Sequence, residues 1–191
     1  MTARLILVAH ASTDAVRATR FPADEPLDDI GKARAAALAG RLPKADRYWA
    51  SPELRTRQTA EALQLSVELQ PALGDCDYGT WTGRTFQDVC AQEPDAVAAW
   101  LRDPGAAPHG GESIAALMQR VEQWLAGEQA HHRQSIVVTH ATIIRAAIVH
   151  AIEAAPQSFW RIDIAPLSIT RLSGSNGRWN LTAAGCATWG S

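Results

Sequence analysis

Two short runs, Leu5-Ile-Leu-Val-Ala9 and Ile136-Val-Val138, are apolar at consecutive positions instead of at alternate ones. A strand with one wet face alternates; an unbroken run suits a strand covered on both faces, the usual state of parallel sheets flanked by helices. Strands are therefore expected over 4–9 and 135–139, with further short ones over 47–50, 66–70, 166–172 and 179–181. Between them lie helical stretches. Residues 31–42 are alanine-rich with Lys32, Arg34 and Arg41 on one wet face, and 55–65 and 142–153 have helical propensity. The stretch 112–131 carries Ile114, Leu117, Val121, Trp124 and Leu125 as one apolar stripe. Helical pieces over 85–101 break at Pro94, and 11–27, 74–83 and 104–111 read as loops. The turn Gly174-Ser-Asn-Gly177 separates the last two strands. Strands alternating with helices predict a three-layer α/β/α architecture with a mostly parallel central sheet.

A chain of 191 residues fits a single domain, here read as 1–191 with a small cap-like insertion at about 85–110. Apolar residues make up 47% and charged residues 20%, the balance of a soluble globular protein, and the formal charge of −2 comes without a basic stripe for nucleic acid. The N-terminal apolar run is too short to cross a membrane and lacks a small-residue cleavage site. Cys76, Cys90 and Cys186 are odd in number and form no C-x-x-C pair. That argues against a disulfide framework or a zinc site and favours a cytoplasmic location. No pattern sets the oligomeric state, and a homodimer is allowed.

Two histidines stand in matching contexts. His10 comes directly after the first buried strand and His140 directly after the strand over 135–139. Ligands of open parallel sheets bind beyond the carboxyl ends of the strands, so both rings enter one crevice if their strands are neighbours. One histidine alone is more often packing than catalysis; two at equivalent strand ends point the other way. His109, His131, His132 and His150 fall in a connector or on helices.

Six segments then carry a resemblance. Leu7-Val-Ala-His10-Ala-Ser-Thr13 is similar to the L-V-R-H-G-E-T opening of histidine phosphatases, and Pro26-Leu27 with Gly31 to the family's next segment, P-L-x-x-x-G-x-x-A. Ser51-Pro-Glu-Leu-Arg55-Thr-Arg-Gln-Thr-Ala60 resembles S-P-L-x-R-A-x-Q-T-A, and Asp77-Tyr-Gly-Thr-Trp-Thr-Gly83 resembles D-F-G-x-W-E-G. Gly110-Gly-Glu-Ser113 matches G-G-E-S, and Val138-Thr-His140-Ala-Thr-Ile-Ile-Arg145 resembles V-S-H-G-G-x-I-R. No single segment is specific; six in family order are. The chain thus resembles the phosphoglycerate-mutase-like histidine phosphatase superfamily, in its α-ribazole and broad-specificity phosphatase branch.

The resemblance implies a metal-independent phosphomonoesterase that needs no cofactor and acts on a small phosphorylated metabolite. In it His10 attacks phosphorus to give a phosphohistidine, Arg55 and His140 hold the phosphate, and Asp75 protonates the leaving alkoxide where the family has a glutamate. Ser12, Thr13, Ala141, Glu112 and Arg17 are expected around the substrate. These roles suit the chemistry. Neutral imidazole is available near neutral pH, a guanidinium fork matches two phosphate oxygens, and preorganised positive donors stabilise the transition state.

Departures matter equally. The family arginine before the histidine is Ala9, the glycine after it Ala11, the next glutamate Ser12, and an asparagine six residues on is Val16. Losing a charged donor from such a site typically costs about two to three orders of magnitude in rate; Arg17 or Arg20 would have to restore the charge from the loop. The alternative is a weakened or inactive member that binds a phosphorylated ligand or a protein partner. A mutase is less favoured, because the insertion at 85–110 is short for the cap that shields a diphosphorylated intermediate from water.

Overall fold

The structure, a computed structural model, describes residues 2–129 and 134–186. Six strands form one sheet: β1 (Ala3–Ala9), β2 (Arg47–Ala50), β3 (Glu68–Leu69), β4 (Gln134–Thr139), β5 (Ile169–Ser175) and β6 (Arg178–Cys186). Their order is β3-β2-β4-β1-β5-β6, so β3 and β6 are the two edges. The first four neighbours pair in parallel, while β5 and β6 are antiparallel additions beside β1.

The unbroken apolar runs have the expected cause. Leu5 and Leu7 point from β1 into a large core with Leu117, Val121 and Leu125 of α6 (Ile114–Gln129) and Ile144 and Ile148 of α7 (Ala141–Ala151). Ile6 and Val8 point the other way and pack with Ile136, Val138, Ala60 and Leu63, on the side of α3 (Leu54–Ala62). Each such fully buried side chain stabilises the fold by roughly 2 kcal/mol. The short α1 (Asp14–Arg17) and α2 (Asp29–Ala36) shape the loop after β1, and α4 (Phe86–Gln92) and α5 (Pro94–Arg102) occupy most of the stretch 85–110. In and around that stretch, Phe21, Tyr78, Trp81, Trp100 and His109 form a buried ring cluster.

Element ends differ from the sequence reading for local reasons. The helix expected over 31–42 starts at Asp29, because the Asp28 side chain caps it by accepting from the Gly31 N–H at 2.6 Å. The one over 55–65 stops at Ala62, with Gln64 at φ 59°. The one over 112–131 starts at Ile114; its expected end at His131, together with His132, lies outside the described residues. The strand over 66–70 shrinks to two residues, whereas the last strand grows to nine. Its hairpin turns at Asn176 and Gly177, whose φ values of 52° and 79° suit the two-residue turn that favours this pair.

For the site, the central fact is register. β1 and β4 are parallel neighbours with Ala9 opposite Thr139, and the His10 N–H donates to the Thr139 carbonyl at 2.9 Å. His10 and His140, each the next residue after its strand, therefore leave the sheet side by side.

Candidate active site

The imidazole centroids of His10 and His140 are 5.3 Å apart at an interplanar angle of 64°. Both are buried, and their surroundings differ. His10 Nδ1 lies 2.8 Å from the Ala11 carbonyl oxygen, which can only accept, so Nδ1 carries the hydrogen and Nε2 keeps its lone pair. Burial first, then the charges of His140 and Arg55, push the His10 imidazole down to about 3. The ring is thus neutral near pH 7.

His140 occupies the capping position of α7, makes no side-chain cap, and has acceptors on both sides. Its Nε2 is 2.7 Å from Ser51 Oγ and 3.2 Å from Glu53 Oε2, and its Nδ1 is 3.4 Å from Asp75 Oδ2. The first amides of α7 have no acceptor within their own helix, so this end of the fold offers donors to an anion.

Arg55 reaches the same place from the start of α3. Its Nη1 donates to the Ala23 carbonyl at 2.6 Å and its Nη2 to Asp75 Oδ2 at 2.8 Å. The guanidinium is 2% exposed, and its Nε, like His140 Nδ1, is buried without a hydrogen-bond partner among the described residues. Buried polar nitrogens are normally paired, so two left without a hydrogen bond, in residues that both contact Asp75, suit an anionic ligand.

Asp75 sits between them. Oδ1 accepts from Thr142 Oγ1 at 2.5 Å and from the Cys76 N–H at 2.9 Å. Burial alone would raise its carboxyl, but the charges of His140 and Arg55 and these two hydrogen bonds outweigh burial and hold it below the usual range. A cavity of about 230 Å³ opens at this point, with Glu53, Arg55, Asp75 and Tyr78 in its wall.

The structure therefore brings His10, Arg55, Asp75 and His140 together, with Ala141 opening α7 beside them. It takes other expected residues elsewhere. Glu112 is held by Arg120 through two contacts of 2.7 and 2.8 Å, and Arg120 also donates to the carbonyls of Ala72, Gly74 and Asp75. Glu112 thus braces the Asp75 segment from behind. Ser12 Oγ donates to Asp28 at 2.8 Å, and Thr13 Oγ1 donates to Glu25 and caps the Val16 N–H, so both staple the loop. Gly31 is required where that loop meets α2: a Cβ there would stand 2.3 Å from the Ser12 carbonyl oxygen. Arg17 is half-exposed against Asp14 and Asp28, and Arg20 donates to the Gly83 carbonyl; neither points at the imidazoles. Ala9 lies in the large core.

Sequence reasoning passed over Ser51, Glu53 and Thr142. Glu53 precedes Arg55 by two residues, and burial together with a charged neighbour was the signal; neither is visible before the chain folds.

Residues 5–187 match the family pattern of the histidine phosphatase superfamily (branch 1). The chain is 30% identical over 181 residues to a bifunctional protein of Mycobacterium tuberculosis, covering 87% of this chain but 49%, about half, of that protein. It is 30% identical over 168 residues to phosphoserine phosphatase 1 of Hydrogenobacter thermophilus, covering 82% of this chain and 80% of that one. Among solved structures, a mycobacterial glucosyl-3-phosphoglycerate phosphatase superposes with a TM-score of 0.86 at 25% identity, over 98% of this chain and 100% of that one. The sheet order, the paired imidazoles and these matches together give one conclusion: the chain belongs to the histidine phosphatase superfamily, branch 1.

Proposed function

We propose that the chain is a metal-independent phosphomonoesterase that hydrolyses a small phosphorylated metabolite in the cytoplasm. The observation that carries this reading is the geometry at His10: a buried ring whose Nδ1 meets the Ala11 carbonyl, so that the Nε2 lone pair is free among the described residues, next to Arg55 and His140, each with a buried nitrogen without a hydrogen-bond partner there. Nε2 attacks phosphorus in line with the ester oxygen, forming an N–P bond as the P–O bond breaks. Arg55 and His140 take the charge on the equatorial oxygens and the first amides of α7 add to it. The departing alkoxide receives a proton from Asp75, and water then cleaves the N–P bond, returning that proton to Asp75.

Asp75 is ionised while Arg55 and His140 serve as its counter-ions. An entering phosphate competes for both cations. As it takes them over, the carboxyl loses the charges that kept its proton away, so substrate binding itself primes the acid. The cavity of about 230 Å³ lined by Arg55 and Asp75 has room for a small ester.

One observation favours a second reading, in which the chain binds a phosphorylated ligand without turnover. Ala9 takes the place of a charged donor, and neither Arg17 nor Arg20 replaces it. Hydrolysis of p-nitrophenyl phosphate in the presence of chelator decides between them. Turnover by the wild type that vanishes in His10→Ala, with one phosphoryl group trapped on the quenched wild-type protein, supports the esterase. Phosphate binding with no turnover of any ester supports the second reading, and activity that survives His10→Ala overturns the first.

A further inference from the structure

Glu53 occupies the helix-capping position of α3, yet its side chain makes no cap; it turns back toward three other parts of the chain. Oε1 accepts from the Asp75 N–H at 2.9 Å, and Oε2 accepts from Ser51 Oγ and faces His140 Nε2 at 3.2 Å. Aspartate at a helix cap commonly accepts from its own helix; the longer glutamate here accepts instead from groups of the site. Burial alone would raise the Glu53 carboxyl, but the His140 hydrogen bond and charge, the Ser51 hydroxyl and the Asp75 amide keep it ionised, well below the usual carboxylate range.

Hydrogen counting gives the consequence. Ser51 has one hydroxyl hydrogen, and Glu53 takes it. Ser51 Oγ therefore meets His140 Nε2, 2.7 Å away, with a lone pair. The second neighbour of Nε2 is the Glu53 carboxylate itself, also an acceptor. With two acceptors in front of it, Nε2 must carry hydrogen. The opposite nitrogen, Nδ1, is the buried one without a hydrogen-bond partner among the described residues. If the ring is to donate to a phosphate from Nδ1, it then bears hydrogen on both nitrogens and carries a full positive charge. An apolar side chain at position 53, such as the leucine of the S-P-L-x-R pattern, would free the Ser51 hydrogen to point at Nε2. The neutral ring with hydrogen on Nδ1 would then serve as well, and the charge would be lost.

The geometry points to Glu53 as a positioning residue: through the Ser51 hydroxyl it fixes the hydrogen on His140 Nε2, so that His140 meets the phosphoryl group as a cation, while its other oxygen holds the Asp75 backbone. This rests on the phosphatase reading for its kinetic consequence, though not for the hydrogen placement itself.

The test uses the full chain with Glu53→Leu, Glu53→Gln and Ser51→Ala, with ¹⁵N-labelled histidine. In the wild type without ligand, the His140 nitrogens are expected to show a hydrogen fixed on Nε2; in Glu53→Leu that signature weakens and the Nδ1–H form appears. With p-nitrophenyl phosphate, Glu53→Leu is expected to lower kcat about 10²-fold with KM changed less than about threefold, because the lost interaction belongs to the transition state. Glu53→Gln, which keeps one acceptor oxygen, falls between the two. Ser51→Ala and Glu53→Leu together cost no more than the worse of the two alone, since both break one chain of contacts. An unchanged His140 signature in Glu53→Leu, or losses that multiply in the double variant, overturn the proposal. Should Glu53→Leu fail to fold, the nitrogen signature of Glu53→Gln in the folded protein decides in its place. A wild type inactive on every ester defeats the phosphatase reading and leaves the nitrogen measurement to judge Glu53 alone.

Discussion

The carboxyl ends of β1 and β4 offer the same residue type in the same setting, and the chain treats them in opposite ways. At the end of β1, His10 is buried with the Ala11 carbonyl on Nδ1 and the charges of His140 and Arg55 nearby, so it stays neutral with Nε2 free among the described residues. At the end of β4, His140 stands between Glu53 and Asp75, two carboxylates on opposite nitrogens. A nucleophile needs a lone pair and an anion clamp needs hydrogens, so the flanking groups divide the work between two rings 5.3 Å apart. Position relative to the sheet makes the pair; the neighbours make the roles.

The hardest way to break this division is to remove its neutral half. His10→Ala is expected to lower kcat on p-nitrophenyl phosphate by about 10⁴-fold or more, with the fold retained by circular dichroism. Arg55→Ala strikes the charge that both halves share. It is expected to lower kcat/KM by about 10³-fold and to destabilise the fold by roughly 3 kcal/mol in urea titrations, because Asp75 then loses a buried partner. Arg55→Lys restores the charge without the fork and is expected to recover little of the rate.

Asp75→Asn sharpens the comparison on the proton side. With an alkyl phosphate, whose leaving group needs a proton, the rate is expected to fall about 10²-fold. With p-nitrophenyl phosphate, whose leaving group departs as the anion, the loss should stay below about tenfold. Equal losses on both esters would remove Asp75 from the acid role.

The smallest effect is on stability. A histidine whose folded pKa is depressed contributes no penalty above its unfolded value of 6.5, and the fold loses stability as pH drops from there toward about 3. For His10 the loss at pH 5 is about 2 kcal/mol. Urea unfolding at pH 7 and pH 5 should therefore show a shallower decline in His10→Ala than in the wild type. Glu53 and Asp75 are also depressed, but their ordinary values of 4.5 and 3.8 lie below pH 5, so they contribute little between pH 7 and pH 5 and do not mask the difference.

Much of this architecture was readable in the residues themselves. Continuous apolar runs announced β1 and β4, and the parallel layers came from the alternation of strands with helices. His10 and His140 were legible as a pair because each stands at the first position past its strand. Element ends were less legible, because they depend on side chains meeting backbone, as Asp28 does with Gly31. Expected roles on the loop after β1 depended on contacts that no spacing encodes: Ser12, Thr13 and Arg17 find acidic partners on the loop and at the capping position of α2. Glu112 does carry a charge near the site, but its partner Arg120 lies two helical turns further on and turns it into a brace. Glu53 was illegible because a glutamate ahead of a helix looks like an ordinary solvated charge until its side chain is seen to face the site.

The two margins of the sheet are unequal, and this bears on how copies of the chain can meet. β3 presents two residues of backbone at one margin, too little for another strand to grip. β6 presents nine at the other, although irregular register against β5 bends that ribbon away from a flat template. Lateral growth by strand addition is thus confined to one side, and two copies joined there would end in stubs at both outer limits. Among the described residues, the open-ended strand addition that a fibre needs has no second edge of comparable length.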